Sequence, residues 1–123
     1  MHKKVLVVDD IDFIIEFEKR IIESLAKEHS IKIDIDSANT VKEALLKISQ
    51  NSYHAIIIDM NLPDGSGVTI AQSAQEKSKD TYIAALTISS DTYKANSQYF
   101  DAFLIKPISP NTYKETLSKL LYL

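Results

Sequence analysis

Two apolar, β-branched runs of this chain end on carboxylates: Val5-Leu6-Val7-Val8 leads into Asp9-Asp10, and Ala55-Ile56-Ile57-Ile58 leads into Asp59. A strand with no apolar–polar alternation offers water no face, so both runs call for structure above and below the sheet. Strands of that kind lie in parallel sheets, whose crossover helices cover both faces. If the two are neighbours, three acids meet at the carboxyl edge of the sheet, where open α/β folds bind their ligands. Two carboxylates about 4 Å apart repel by about 4 kcal/mol at an effective dielectric of about 20, so such a cluster takes up protons or holds a cation. A hard divalent cation with oxygen ligands, Mg2+ first, is the natural guest.

The rest of the chain supplies the covering layers. Ile11, Ile14, Ile15, Phe17, Ile21, Ile22 and Leu25 recur at helical spacing, with Glu16, Glu18, Lys19, Arg20 and Glu23 between them as the polar set, until Lys27-Glu28-His29-Ser30 ends the pattern. Residues 31–36 alternate strictly, which predicts a strand with one wet face, suited to an edge. Thr40, with Glu43 three residues on, signals a capped helix whose apolar face is Val41, Ala44, Leu45 and Ile48; Asn51-Ser52 stops it. After the 53–59 strand, Leu62-Pro63-Asp64-Gly65-Ser66-Gly67 is a dense turn signal before a helix over 68–77, and both glycines of the chain lie in it. Residues 82–87 and 102–105 predict further strands, 91–97 a short, weakly apolar helix, and Ser109 or Asn111 opens a last helix through Leu117, Leu120 and Leu121. Strands alternating with helices predict an α/β fold, and right-handed crossovers with helices on both faces make it a flavodoxin-like three-layer α/β/α sandwich: a five-stranded parallel sheet of order 2-1-3-4-5 with five helices. At 123 residues, 45% hydrophobic and 25% charged, residues 1–123 are expected to form one domain.

Several function classes recede. A net charge of -3 without a long Lys/Arg cluster argues against direct nucleic-acid binding. The absence of cysteine rules out disulfides and thiolate metal sites. No run approaches transmembrane length, and the apolar stretch after Met1 is too short for a secretory signal, so a cytoplasmic protein with no membrane insertion is expected. His2, His29 and His54 fall at a terminus, a helix end and a strand entry and read as solvated. Tyr82, Tyr93, Tyr99, Tyr113 and Tyr122 are too scattered for a stacking platform, and Met60 reads as filling.

Five polar groups stand at or just past strand ends: Asp9, Asp10, Asp59, Thr87 and Lys106. In that order, with Pro107 after the lysine, they resemble the receiver domain of bacterial two-component response regulators over essentially the whole chain. The strings Asp59-Met60-Asn61-Leu62-Pro63-Asp64-Gly65-Ser66-Gly67 and Ala102-Phe103-Leu104-Ile105-Lys106-Pro107 are similar to that family's phosphoacceptor loop and last strand. The resemblance implies a phosphorylation-dependent signalling switch rather than a turnover enzyme. Asp59 would take a phosphoryl group from a phosphohistidine of a histidine kinase or a histidine phosphotransfer domain. Mg2+ would be held by Asp9, Asp10, Asp59 and the backbone carbonyl of Asn61, with Asp9 acting through water or by holding its neighbour. Lys106 would offer a positive charge and Thr87 a hydroxyl to the phosphoryl oxygens, and Pro107 would follow a cis peptide bond. Thr87 and the aromatic Phe103 would form the switch that changes the surface of residues 91–123. A phosphorylation-dependent dimer is compatible with this reading, and the oligomeric state stays open.

The match has departures. Ile88 follows Thr87 where the family has a small residue, which predicts a side chain shading Asp59. Lys106 follows Thr87 by fewer residues than the family norm, which predicts a short or irregular fourth helix. Tyr99-Phe100 replaces Gly-Ala and predicts exposed aromatic surface. Two other functions compete. Asp10-Ile11-Asp12 resembles the nucleophile motif of haloacid-dehalogenase-type phosphatases, which need a further acidic pair beyond the lysine, where only Glu115 is found. A receiver-like interaction module that needs no phosphorylation is the third reading. With no effector domain after Leu123, either a stand-alone regulator or a domain of a hybrid histidine kinase is expected.

Overall fold

The computed structural model describes residues 1–89 and 96–123. In chain order the elements are β1 (His2–Val8), α1 (Asp12–Glu28), β2 (Lys32–Ala38), α2 (Val41–Gln50), β3 (Ala55–Asp59), α3 (Gly67–Lys77), β4 (Tyr82–Thr87), β5 (Ala102–Ile105) and α4 (Pro110–Leu120). A miniature hairpin pairs Asn61–Leu62 with Gly65–Ser66, and Ser97–Tyr99 is a 3-10 turn. The five strands are all parallel, in the order β2-β1-β3-β4-β5, and four α-helices lie among the described residues. The helix expected over 91–97 falls largely outside the described residues.

Every strand divides its side chains between two cores. Val5, Val7, Ala55, Ile57, Ala84, Leu86 and Leu104 face α1 and α4, where Ile15, Ile22, Leu25, Tyr113 and Leu117 meet them. Leu6, Val8, Ile56, Ile58, Ile83 and Ala85 face α2 and α3, against Val41, Ala44, Ile48, Ile70 and Ala74. Burial on both sides explains why β1 and β3 read as unbroken apolar runs. β2 lies at an edge with its middle residues half-exposed, as its alternation requires.

Helix boundaries follow local chemistry. The Thr40 hydroxyl accepts from Glu43 N at 3.1 Å, and the Ser66 hydroxyl caps α3 by accepting from Val68 N. Pro110 stands at the first position of α4, where its missing N–H costs nothing. Two expectations fail. Phe100 is 8% exposed and packs against Phe103, with ring centroids 5.5 Å apart, while Tyr99 is half-buried, so the Tyr99-Phe100 pair fills core space instead of forming an exposed patch. Glu18 is fully buried rather than solvated.

Candidate functional site

The parallel register brings the strand ends together, and the ladder runs on past them. Val8 is paired with Ile58, so Asp9 and Asp59 follow side by side, and Asp9 N donates to Ala38 O at 3.0 Å. Met60 N donates to Leu86 O at 3.0 Å and Lys106 N to Thr87 O at 2.8 Å. The backbone thereby fixes Asp9, Asp59, Thr87 and Lys106 at one edge of the sheet before any side chain interacts.

Asp9, Asp10 and Asp59 each offer a carboxylate oxygen to a group in which these atoms lie within 4.8 Å of one another. Asp9 and Asp59 are buried and Asp10 is exposed. The Asp9 carboxylate accepts from Ile11 N through Oδ1 at 3.0 Å, and its buried Oδ2 has no hydrogen-bond partner among the described residues. An unsatisfied oxygen of that kind costs about 1–3 kcal/mol or more unless something outside the described residues completes it. Burial pushes the Asp9 carboxyl up to about 6, with the Ile11 amide opposing and the charge of Asp59 adding to the rise. Three hard oxygen donors, one of them buried and unpartnered, suit a divalent cation of the Mg2+ kind.

Asp59 is 2% exposed, and its Oδ1 accepts from both Asn61 N at 3.0 Å and Lys106 Nζ at 3.1 Å. The ion pair is therefore largely dry on the carboxylate side, with the ammonium 25% exposed. Asp59, Met60, Asn61, Ser66, Thr87, Ile88, Ser89, Asn96 and Lys106 line a cleft of about 400 Å³ above the strand ends. The Thr87 hydroxyl lies 3.3 Å from Ser89 O and accepts from Ser89 N at 3.2 Å. Ile88 is 68% exposed on the rim of that cleft, where the shading of Asp59 expected from the sequence would act. Phe103 is paired in register with Ala85, two residues before Thr87, so it shares the sheet face of Thr87. The peptide bond before Pro107 is cis, as expected.

Asn61 opens the hairpin two residues after Asp59, and its N–H donates to Asp59 Oδ1, so its backbone lies beside the acid cluster. Close packing makes that turn possible: a Cβ on Gly67 would fall 2.9 Å from Ile58 Cγ2, 3.0 Å from Met60 Sδ and 3.2 Å from Asp59 O. Asp12, the second acid of the phosphatase-like string, is engaged elsewhere, accepting from Asn39 Nδ2 at 2.8 Å at the start of α1.

Asn39, Asp64 and Glu18 escape the sequence reading. Glu18 had a visible signal, since positions 15, 18, 22 and 25 follow one helical stripe and the other three are buried aliphatics. Its carboxylate accepts from the Tyr113 hydroxyl at 2.8 Å, while Oε2 has no partner among the described residues.

A family model described as the response regulator receiver domain matches residues 5–118. The chain belongs to that family. Among curated proteins this receiver is 33% identical over 128 residues to the response regulator protein PilR of Pseudomonas aeruginosa, covering 99% of this chain and 27% of that protein. It is 30% identical over 127 residues to hybrid signal transduction histidine kinase L of Dictyostelium discoideum, covering 94% of this chain and 7% of that protein. The receiver thus spans a small part of the curated relatives it matches. Among solved structures, response regulator TrrA of Thermotoga maritima in complex with Mg2+-BeF is 32% identical with a TM-score of 0.79, over 97% of this chain and 99% of that one. The chemotaxis response regulator CheY4 of Vibrio cholerae is 26% identical with a TM-score of 0.82, over 98% of this chain and 100% of that one. No helix among the described residues is long and apolar enough to cross a membrane.

Proposed function

We propose that residues 1–123 form one receiver domain in which Asp59 accepts a phosphoryl group from a phosphohistidine. The observation that carries this is that one carboxylate, Asp59, belongs both to the acid cluster and to the ion pair with Lys106. Both donors to Asp59 bind Oδ1, which leaves Oδ2 to attack phosphorus in line. The P–N bond to the donor imidazole breaks with its electron pair going to nitrogen, and a P–O bond to Asp59 forms, giving an acyl phosphate. Lys106 Nζ turns from Oδ1 toward the phosphoryl oxygens, a point charge held on the side away from the acids. The Thr87 hydroxyl rotates from the Ser89 backbone to donate to another of those oxygens.

Asp9, Asp10, Asp59 and the Asn61 carbonyl would hold Mg2+, consistent with the buried orphan oxygen of Asp9 and with the Mg2+-BeF complex of the similar TrrA. The cation supplies neutralisation of the phosphoryl oxygens as charge moves. The phosphoryl group carries roughly -1.5 to -2 charges in place of the single carboxylate charge of Asp59 and sets them beside Thr87, enough to draw its hydroxyl inward. Phe103, on the same face, then repacks and changes the surface formed by β5 and α4. The domain assists its own phosphorylation and hydrolysis without turning over a substrate of its own. Its partners are a histidine kinase or a histidine phosphotransfer domain, its setting is the cytoplasm, and its place is a free regulator or one module of a hybrid kinase.

A single incubation with Mg2+ and a small phosphodonor such as acetyl phosphate tests the reading by mass spectrometry. The expected result is an adduct of about 80 Da on wild type that disappears in Asp59→Asn. Sustained turnover abolished in Asp10→Asn but retained in Asp59→Asn would instead indicate a phosphatase. No adduct and no turnover would leave a binding module.

A further inference from the structure

We infer that Asn39 and Asp64, acting through the N-terminus of α2, are positioning residues that set the spacing of the two loops carrying the metal-binding oxygens. The inference rests on the Mg2+ reading above and deepens it; neither residue touches the cation.

Asp64 stands at the tip of the hairpin that begins with Asn61, and a turn aspartate ordinarily bonds its own backbone two residues on. This one reaches across the molecule. Its Oδ1 accepts from Val41 N at 2.7 Å and its Oδ2 from Lys42 N at 3.1 Å, the first two amides of α2. Those two amides hold the Asp64 carboxyl below its ordinary range, so it is ionised wherever the site works. The third amide of α2, Glu43 N, is taken by Thr40 Oγ1 at 3.1 Å. The beginning of α2 is therefore capped jointly, by its own Thr40 and by the hairpin. Close packing of Gly65 against the Val41 side chain reinforces the tie, since a Cβ on Gly65 would lie 3.3 Å from Val41 Cγ2.

From the same corner a second tie runs to the other acid loop. Asn39 Nδ2 donates to Asp9 O at 3.2 Å and to Asp12 Oδ1 at 2.8 Å. Asn39 N donates to Glu43 Oε2 at 3.4 Å, which locks the asparagine to the first turn of α2. A continuous path thus links Asp9 to Asn39, to the start of α2, to Asp64, and back down the hairpin to Asn61 and Asp59. The strands fix Asp9 and Asp59 from below, and this path fixes their loops from above. Mg2+ tolerates little error, demanding near-ideal octahedral geometry at about 2.0–2.1 Å, so the relative height of the Asn61 carbonyl and the Asp9-Asp10 carboxylates should govern affinity. A cap that merely stabilised α2 would leave that affinity alone.

The test is a calorimetric titration with MgCl2 of wild type, Asp64→Ala, Asn39→Ala and the double variant, at a temperature where circular dichroism shows each one folded. Partners one shell outside a metal cost about 10–100-fold in affinity, and these act a step further out, so each single change is expected to weaken Mg2+ binding by about threefold to tenfold. Because the path is broken once by either change, the double variant should bind no more weakly than the worse single one. If Asp64→Ala does not fold, Asp64→Ser retains one cap acceptor and should give the smaller loss. Unchanged Mg2+ affinity in both single variants, with only the melting temperature lowered, would overturn the inference. So would losses in the double variant that multiply as independent sites do. A wild-type protein that takes up no Mg2+ would instead defeat the metal centre itself.

Discussion

A carboxylate deep in an apolar core costs several kcal/mol unless it is paired or protonated, and Glu18 has one hydrogen bond, from Tyr113 across the α1–α4 contact. Burial pushes its carboxyl up to about 8; the Tyr113 hydroxyl opposes the rise, and the charges of Asp9 and Asp59 on the facing strands add to it while Lys106 subtracts. The folded protein therefore holds a proton on Glu18 that the unfolded chain releases above its ordinary value of 4.5. With more protons bound when folded, stability is complete below about pH 4.5 and is lost as pH rises through about 8. At about 1.4 kcal/mol per pH unit the loss is of the order of 5 kcal/mol. Urea unfolding at pH 5 and pH 8.5 should show wild type weakening with pH by several kcal/mol more than Glu18→Gln, whose amide does not titrate. Equal slopes for the two proteins would mean that Glu18 stays charged in the fold. The sequence held the clue to its burial, the stripe through Ile15, Ile22 and Leu25, but a glutamate on such a stripe contradicts the usual preference of charge for water. Only packing against Tyr113, ninety-five positions away, decides the matter.

Elements were legible wherever local chemistry alone determined them. The unbroken apolar runs gave β1 and β3, strict alternation gave the edge strand β2, Thr40 marked a helix start that the structure keeps, and of the two starts offered for the last helix, Ser109 and Asn111, the structure takes Ser109. The acid cluster, Thr87 and Lys106 could be located because strand ends in a parallel sheet carry a fixed meaning. Contacts between distant loops could not: Asp64 reads as a turn residue until α2 is placed beside it, and Asn39 reads as an ordinary residue before a cap. Gly67 shows how tightly the two kinds of information interlock. Within the turn string it looks like a conformational choice, whereas in the fold the lack of a Cβ lets α3 begin close against Ile58 and Met60. Gly67→Ala puts a methyl within 3.0 Å of Ile58 and Met60, and overpacking of this kind costs about 1–3 kcal/mol. Since Asp59 O lies 3.2 Å from the same methyl, the strain falls on the phosphoacceptor loop. Thermal unfolding should register the lost stability, and acetyl phosphate labelling of the folded fraction should slow. Labelling at the wild-type rate would show that the helix gives way and the acid loop does not.

At the scale of the molecule, the sheet order concentrates like charge at one edge, three acids with, among the described residues, the ammonium of Lys106 ion-paired to Asp59. The hydrophobic cores on either face hold that arrangement in place even though the carboxylates push apart. A cation that binds the folded domain and not the unfolded chain relieves the repulsion and adds stability by mass action. The gain is about 2.7 kcal/mol when the free ion exceeds its dissociation constant a hundredfold. For a domain of this size that corresponds to a rise of about 10 °C in melting temperature. Asp10 is the acid best suited to separate the two effects, because it is the exposed member and bonds neither the Ile11 amide nor Lys106. Scanning calorimetry in EDTA should find Asp10→Asn melting above wild type, since one repelling charge is gone. In saturating MgCl2 the order should reverse: wild type climbs by about 10 °C while the variant scarcely moves, having lost a ligand along with the charge. A variant that melts below wild type in EDTA would mean that the acids are already neutralised by protons without the metal. A wild type insensitive to Mg2+ would mean that the edge of the sheet is not a cation site at all.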